Sequence, residues 1–234
     1  MADFAEAINL YNKGNEASML NNYVEAFELY RQAAEQGYAP AQCNLGYCYE
    51  KGYGVPFNLK KAFELYKKSA EQDYAPAQCN LGWCYESGIG VDFNLDKAVE
   101  NYLKAAKQEY APAQGNLGFC YANGNGVSKD YEEAYKWFKK AAAKGNVFAQ
   151  YNIGNCFETG KGAVKDIEKA LEWYRKSADH GYAPAQNHLG SCYENGIGVT
   201  KNIIKAYEWY NYAAYQGHIT AKHNLESLKK RGLI

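Results

Sequence analysis

From Tyr38 onward, apolar and polar residues recur with a period of 36 that runs unbroken to residue 217. The fourth position of each period is alanine (Ala41, Ala77, Ala113, Ala149, Ala185, then Ala221). The eighth is Leu45, Leu81, Leu117, Ile153, Leu189 and Leu225, and the twelfth is Tyr49, Tyr85, Tyr121, Phe157 and Tyr193. Apolar residues at i, i+4 and i+8 form one stripe of an α-helix, the A helix of the period. A G-x-G pair follows each stripe, from Gly52/Gly54 through Gly88/Gly90, Gly124/Gly126 and Gly160/Gly162 to Gly196/Gly198. Glycine supplies the positive φ that ends a helix. Asn58, Asn94, Asp130, Asp166 and Asn202 come next as helix N-caps. They open a second stripe, such as Leu59, Ala62, Tyr66, Ser69 and Ala70, which predicts a B helix. Gly37, Gly145, Gly181 and Gly217 close the B helices, whereas Asp73 and Glu109 hold that place in two periods and predict strained turns.

Gly46, Gly82, Gly118, Gly154 and Gly190 fall inside the A helix, where glycine costs ~1 kcal/mol relative to alanine. Their recurrence predicts a crossing too tight for a Cβ, with Ala62, Ala98, Ala134, Ala170 and Ala206 on the opposing B helix. A helix pair of this size cannot bury its apolar stripe alone, so the periods must stack.

The pattern A-x-x-x-L-G-x-x-Y-x-x-G-x-G-V, seen as Ala77, Leu81, Gly82, Tyr85, Gly88, Gly90 and Val91, resembles the Sel1-like repeats of the tetratricopeptide superfamily. Ala98, Tyr102 and Ala106 match the B-helix part, and Ala163 replaces the usual valine in the fourth period. The resemblance implies an all-α fold, a right-handed superhelical α-solenoid of stacked antiparallel helix pairs with about fourteen helices. Three segments are expected: residues 1–37 as a tetratricopeptide-like N-terminal cap, 38–217 as five Sel1-like repeats, and 218–234 as a capping helix. Gly14, Ala26, Tyr30 and Ala33 carry the first assignment, with a loop four residues shorter than in the later periods.

Acidic and basic residues balance at 26 each and 47% of residues are apolar, which argues against a cationic nucleic-acid binder and against disorder. No run approaches the ~18 apolar residues of a membrane span, and the N-terminus lacks a basic leader with an apolar core. The expectation is a soluble, cytoplasmic monomer with no membrane or nucleic-acid partner. The seven cysteines lie in two columns, Cys43 and Cys79 in the sixth and Cys48, Cys84, Cys120, Cys156 and Cys192 in the eleventh. Positions five apart point ~140° from each other around a helix, so they read as small reduced core residues.

The resemblance implies that A helices line a concave groove. The seventh column would present Asn12, Asn44, Asn80, Asn116 and Asn152, a row of amides able to hold a peptide backbone. The tenth column varies while the core columns do not, and places Tyr47, Trp83 and Phe119 in consecutive periods. Aromatics beside amides suit a binding patch, which Tyr11 and Tyr151 could extend, with Glu50 and Glu86 giving a negative rim. Trp137, Trp173 and Trp209 fall on B helices and read as packing between helix layers.

The G-x-G pairs lack the context of a nucleotide loop, and no nucleophile has a base placed by a recognisable motif. His188, Cys192 and His223 are a weak candidate for a soft-metal site. No cofactor and no catalysis are expected. The best reading is a protein–protein interaction scaffold or adaptor. A self-associating module using the convex face is the first alternative, and a weak hydrolase of the cysteine-rich Sel1-like type is the second.

Overall fold

The computed structural model describes residues 4–234, in which thirteen α-helices and no strands occur. They are α1 (Ala5–Met19), α2 (Tyr23–Glu35), α3 (Ala39–Lys51), α4 (Leu59–Ala70), α5 (Ala75–Ser87), α6 (Leu95–Lys107) and α7 (Ala111–Asn123). The rest are α8 (Tyr131–Ala143), α9 (Val147–Thr159), α10 (Ile167–Asp179), α11 (Ala183–Asn195), α12 (Ile203–Tyr215) and α13 (Ile219–Lys230). Six helix pairs and one further helix make thirteen, which is also what the three expected segments sum to, so the expected total of about fourteen is one too many. The chain divides into two compact units, residues 1–113 with 125–128, and residues 114–124 with 129–234. Within each unit, sequential helices pack as antiparallel pairs, and consecutive pairs stack.

Local chemistry sets the boundaries. Asn58, Asn94, Asp166 and Asn202 accept hydrogen bonds from the backbone N–H three residues on, and Asp130 accepts two. Gly52, Gly88, Gly160 and Gly196 end their helices in the left-handed conformation. The loop between the two helices of a pair is tied by one recurring bond. The N-cap N–H donates to the twelfth-column carbonyl, as from Asn58 to Tyr49 and from Asn94 to Tyr85, each at 2.9 Å. The first pair is joined through residues 20–22 without a G-x-G, and Asn21 takes φ +60°. Asp73 and Glu109 adopt φ +59° and +62°, the strained turns expected where glycine is missing.

The mid-helix glycines do face a close crossing, but its chief partner is an aromatic ring rather than the expected alanine. A Cβ on Gly82 would lie 2.7 Å from the ring of Tyr102 and 3.0 Å from the carbonyl oxygen of Ala98. Tyr66, Tyr174, Tyr210 and Phe138 cover Gly46, Gly154, Gly190 and Gly118 in the same way. The alanine side chain lets the helix axes approach, and the ring then occupies the space the glycine leaves. All these rings are essentially inaccessible to solvent.

All seven cysteines are buried and free. Burial pushes the Cys43 thiol up to about 12 and those of Cys48 and Cys156 to about 11. A cysteine attacks a disulfide, or is oxidised, as its thiolate, so native protein at pH 8 is expected to be inert. Titration with a chromogenic disulfide reagent should count no reactive thiol in the folded protein and seven in denaturant. Rapid labelling of the native chain would contradict this burial.

Candidate functional site

The A-helix face carries the residues picked out from the repeat columns. Tyr47, Trp83 and Phe119 are 44%, 48% and 38% exposed, whereas Leu45, Leu81 and Leu117 of the same helices are buried. In the first unit, Tyr47 joins Asn44, Asn15, Tyr23, Tyr30 and Tyr53 around a cavity of about 310 Å³. Tyr53 meets Tyr47 edge-on at 5.8 Å between centroids and stacks on Tyr23 at 4.4 Å. The second unit holds a matching cavity of about 360 Å³, lined among others by Phe119, Asn152, Asn155, Tyr131 and Phe138. Asn44, Tyr23 and Tyr30 of the first cavity stand three periods before Asn152, Tyr131 and Phe138 of the second. Each cavity thus joins one seventh-column asparagine to tenth-column side chains.

The asparagines are not uniformly presented. Asn44 donates to Asn15 Oδ1 at 3.3 Å and Asn80 to Cys43 Sγ at 3.5 Å, bonds that run between neighbouring A helices. Asn152 instead donates to Phe148 O on its own helix at 2.8 Å. Asn12 is exposed and Asn116 half-buried. Tyr11 and Tyr151 are half-buried and pack against neighbouring rings. Tyr11 contacts Tyr30 and Tyr38, and Tyr151 contacts Tyr174 and Tyr182. The sixth column that holds them carries Cys43, Cys79, Gly115, Asn187 and His223 in the other periods.

The expected negative rim has a different first duty. Glu50 and Glu86 accept hydrogen bonds from Tyr66 Oη and Tyr102 Oη at 2.8 and 2.5 Å, and Glu194 accepts one from Tyr210 at 2.8 Å. These carboxylates anchor the rings that cover the glycines. Where the ring is Phe138, the thirteenth column is Ala122, so donor and acceptor are lost together. Columns read one at a time hide this pairing, because its members lie sixteen residues apart on different helices.

The proposed metal grouping is not assembled: among the described residues no three metal-ligating side chains converge. His188 Nε2 lies 3.2 Å from Glu158 Oε2, and its ring packs 4.2 Å from that of Tyr174, with Tyr151 edge-on. Tyr174 Oη is within 2.6 Å of the same carboxylate oxygen and 2.7 Å of Asn155 Oδ1. Burial opposes protonation of His188, yet hydrogen bonds to Cys192 and Glu158 outweigh it and raise the imidazole to about 9. The same His188 bond, against the opposing effect of burial, lowers the Glu158 carboxyl. Because the folded value lies above the ordinary 6.5, the pair's contribution to stability is complete below pH 6.5 and is lost as pH rises to about 9. At the acid end it is lost as pH falls through the depressed carboxyl value. The urea midpoint should therefore drop between pH 6.5 and 9, and His188→Asn, which installs that column's usual residue, should flatten that drop.

A second polar feature escaped the column reading. The fifth-column glutamines are buried, and Gln72, Gln108 and Gln216 donate to Gln42, Gln78 and Gln186 at 2.8–2.9 Å. At Gln150 the matching position is His180, which bonds Lys176 O, and Gln150 Oε1 is left without a partner.

Stacked antiparallel helix pairs of fixed length, joined by glycine turns, define an α-solenoid of the helical-repeat class. The chain belongs to the Sel1 repeat family, whose model matches residues 2–38, 39–74, 75–110, 111–146, 147–182 and 183–218. It is 36% identical to a Sel1 repeat protein from Oxalobacter formigenes, covering 95% of this chain and 89% of that one with a TM-score of 0.84. It is 35% identical to a protective antigen of uropathogenic Escherichia coli with the same repeat fold, over 97% of this chain and 50% of that one, with a TM-score of 0.77. Among curated proteins, the DAP3-binding cell death enhancer 1 of Mus musculus is 40% identical over 55 residues, which are 24% of this chain. The match spans only 11% of that mouse protein. Sel1-repeat proteins generally act in protein–protein interaction, and no described helix is long and apolar enough to cross a membrane.

Proposed function

We propose that this protein is a non-catalytic adaptor whose A-helix face holds an extended segment of a protein partner. The observation that carries the reading is the pairing of exposed Tyr47 with Asn44 and of exposed Phe119 with Asn152, each beside a small cavity, with Trp83 exposed in the period between them. Rigid aromatics offer large contact area at little entropic cost, and the amides can meet backbone groups without reading side chains. Leu228 of α13 packs with Tyr193, Ala206 and Tyr210 in one buried cluster. We read the adaptor as a cytoplasmic monomer that needs no cofactor, metal or nucleic acid.

Affinity capture followed by mass spectrometry tests the face. Trp83→Ala and Asn80→Ala should each lose the partners retained by the parent protein while the helical circular dichroism stays unchanged. Retention of the same partners by both variants would remove the A-helix face as the binding surface. Sedimentation that is independent of concentration is expected alongside, and a coefficient rising with concentration would favour self-assembly.

A further inference from the structure

The B-helix column that carries Trp137, Trp173 and Trp209 carries Leu65 and Asn101 in the two preceding periods. Trp173 packs on a cluster that includes Ala134, Phe138, Ala142 and Ile153, and Lys176 Nζ lies 4.4 Å from the centroid of its ring. Three periods earlier, Leu65 packs on Ala26, Tyr30, Ala34 and Leu45, the same positions of the repeat. The seat is therefore the same and the side chain in it is smaller. Above it, between α2 and α4, lies a groove of about 670 Å³ whose apolar walls include Ala34, Leu45, Tyr49 and Leu65. Lys68 stands where Lys176 covers the tryptophan.

We propose that this groove is a docking slot for a tryptophan side chain on an acidic segment of a partner protein. The chain's own Trp173 shows what the seat accepts, and Lys68 can add the cation–π contact that Lys176 makes. Charge selects the flanking residues. Arg31 is already held by Glu28 and Glu35, which leaves Lys60, Lys61 and Lys68 around the slot with Glu64 as the remaining carboxylate. Carboxylates on either side of the incoming tryptophan would pair with these lysines. The slot shares no lining residue with the first-unit cavity of the A-helix face, so it stands or falls separately from that face.

The test uses the full isotope-labelled chain and the blocked peptide acetyl-Glu-Asp-Trp-Glu-Asp-amide, with an alanine-for-tryptophan control. Saturable shifts are expected at the amides of Ala34, Leu45 and Leu65, and not with the control peptide. Leu65→Trp, which supplies the residue the chain uses elsewhere, should weaken binding by about tenfold or more, as exclusion of a buried aromatic anchor does. Its melting temperature should equal or exceed that of the parent, which shows that the variant folds. Lys68→Glu should weaken the peptide too. Equal binding to Leu65→Trp, equal binding of the control, no saturable shift, or shifts centred on Trp83 would each overturn the proposal. So would a dimer of the parent that disappears in Leu65→Trp, since that outcome assigns the slot to a second copy of the chain.

Discussion

Gly90→Ala is expected to lower the unfolding free energy by ~2–5 kcal/mol, the sum of left-handed strain of ~1–2 and overpacking of ~1–3. Gly90 has φ +68°, and a Cβ there would lie 2.7 Å from the carbonyl carbon of Leu59 and collide with its oxygen. Leu59 opens α4, the B helix of the preceding pair, so the clash would wedge two repeats apart. Backbone cannot rotate away as a side chain can. Gly54, Gly126 and Gly162 meet the carbonyls of Tyr23, Leu95 and Tyr131 in the same manner. Gly145→Ala is the control: its φ is +82° with nothing within 4 Å of the added methyl, so only ~1–2 kcal/mol of strain should appear. Urea unfolding of both variants measures the difference. Equal losses would mean that the second glycine of G-x-G serves conformation alone.

The second large effect belongs to the ring over the mid-helix glycine. Tyr102→Ala should cost ~3–5 kcal/mol, as truncation of a large buried aromatic does. Tyr102 is fully buried, covers Gly82 and donates to Glu86. Tyr102→Phe keeps the ring and should cost only ~1–2 kcal/mol, because the half-buried Glu86 loses a donor. The third period suggests the repair, since Phe138 and Ala122 occur together there. Adding Glu86→Ala to Tyr102→Phe should recover part of that loss, and a double-mutant cycle measures the coupling. If the two changes are simply additive, the hydroxyl and the carboxylate act independently.

The two predictions also mark how far the sequence can be read. Helix positions, their N-caps and the strained turns at Asp73 and Glu109 were legible, because each depends on residues within a few positions of one another. The exposure of Tyr47, Trp83 and Phe119 was legible from variation within an otherwise uniform repeat. The role of Glu50 and Glu86 was not, because a solvated rim and a tyrosine anchor look alike until the partner helix is placed. The spacing of His188 and Cys192 suits a metal ligand pair, but the carboxylate partner of His188, Glu158, sits on the preceding A helix.

By itself, the sequence determined the period, the helices and the family, since stripe, cap and glycine signals are local and recur in every unit. Only the tertiary structure decided that a ring rather than a methyl group covers each mid-helix glycine. It also decided that Gly54, Gly90, Gly126 and Gly162 yield to a neighbouring repeat's backbone, and that Leu65 is smaller than the Trp173 in the matching seat. Those facts concern the volume shared by side chains from different repeats. Such volume is set by packing across the stack, which a one-dimensional pattern does not carry.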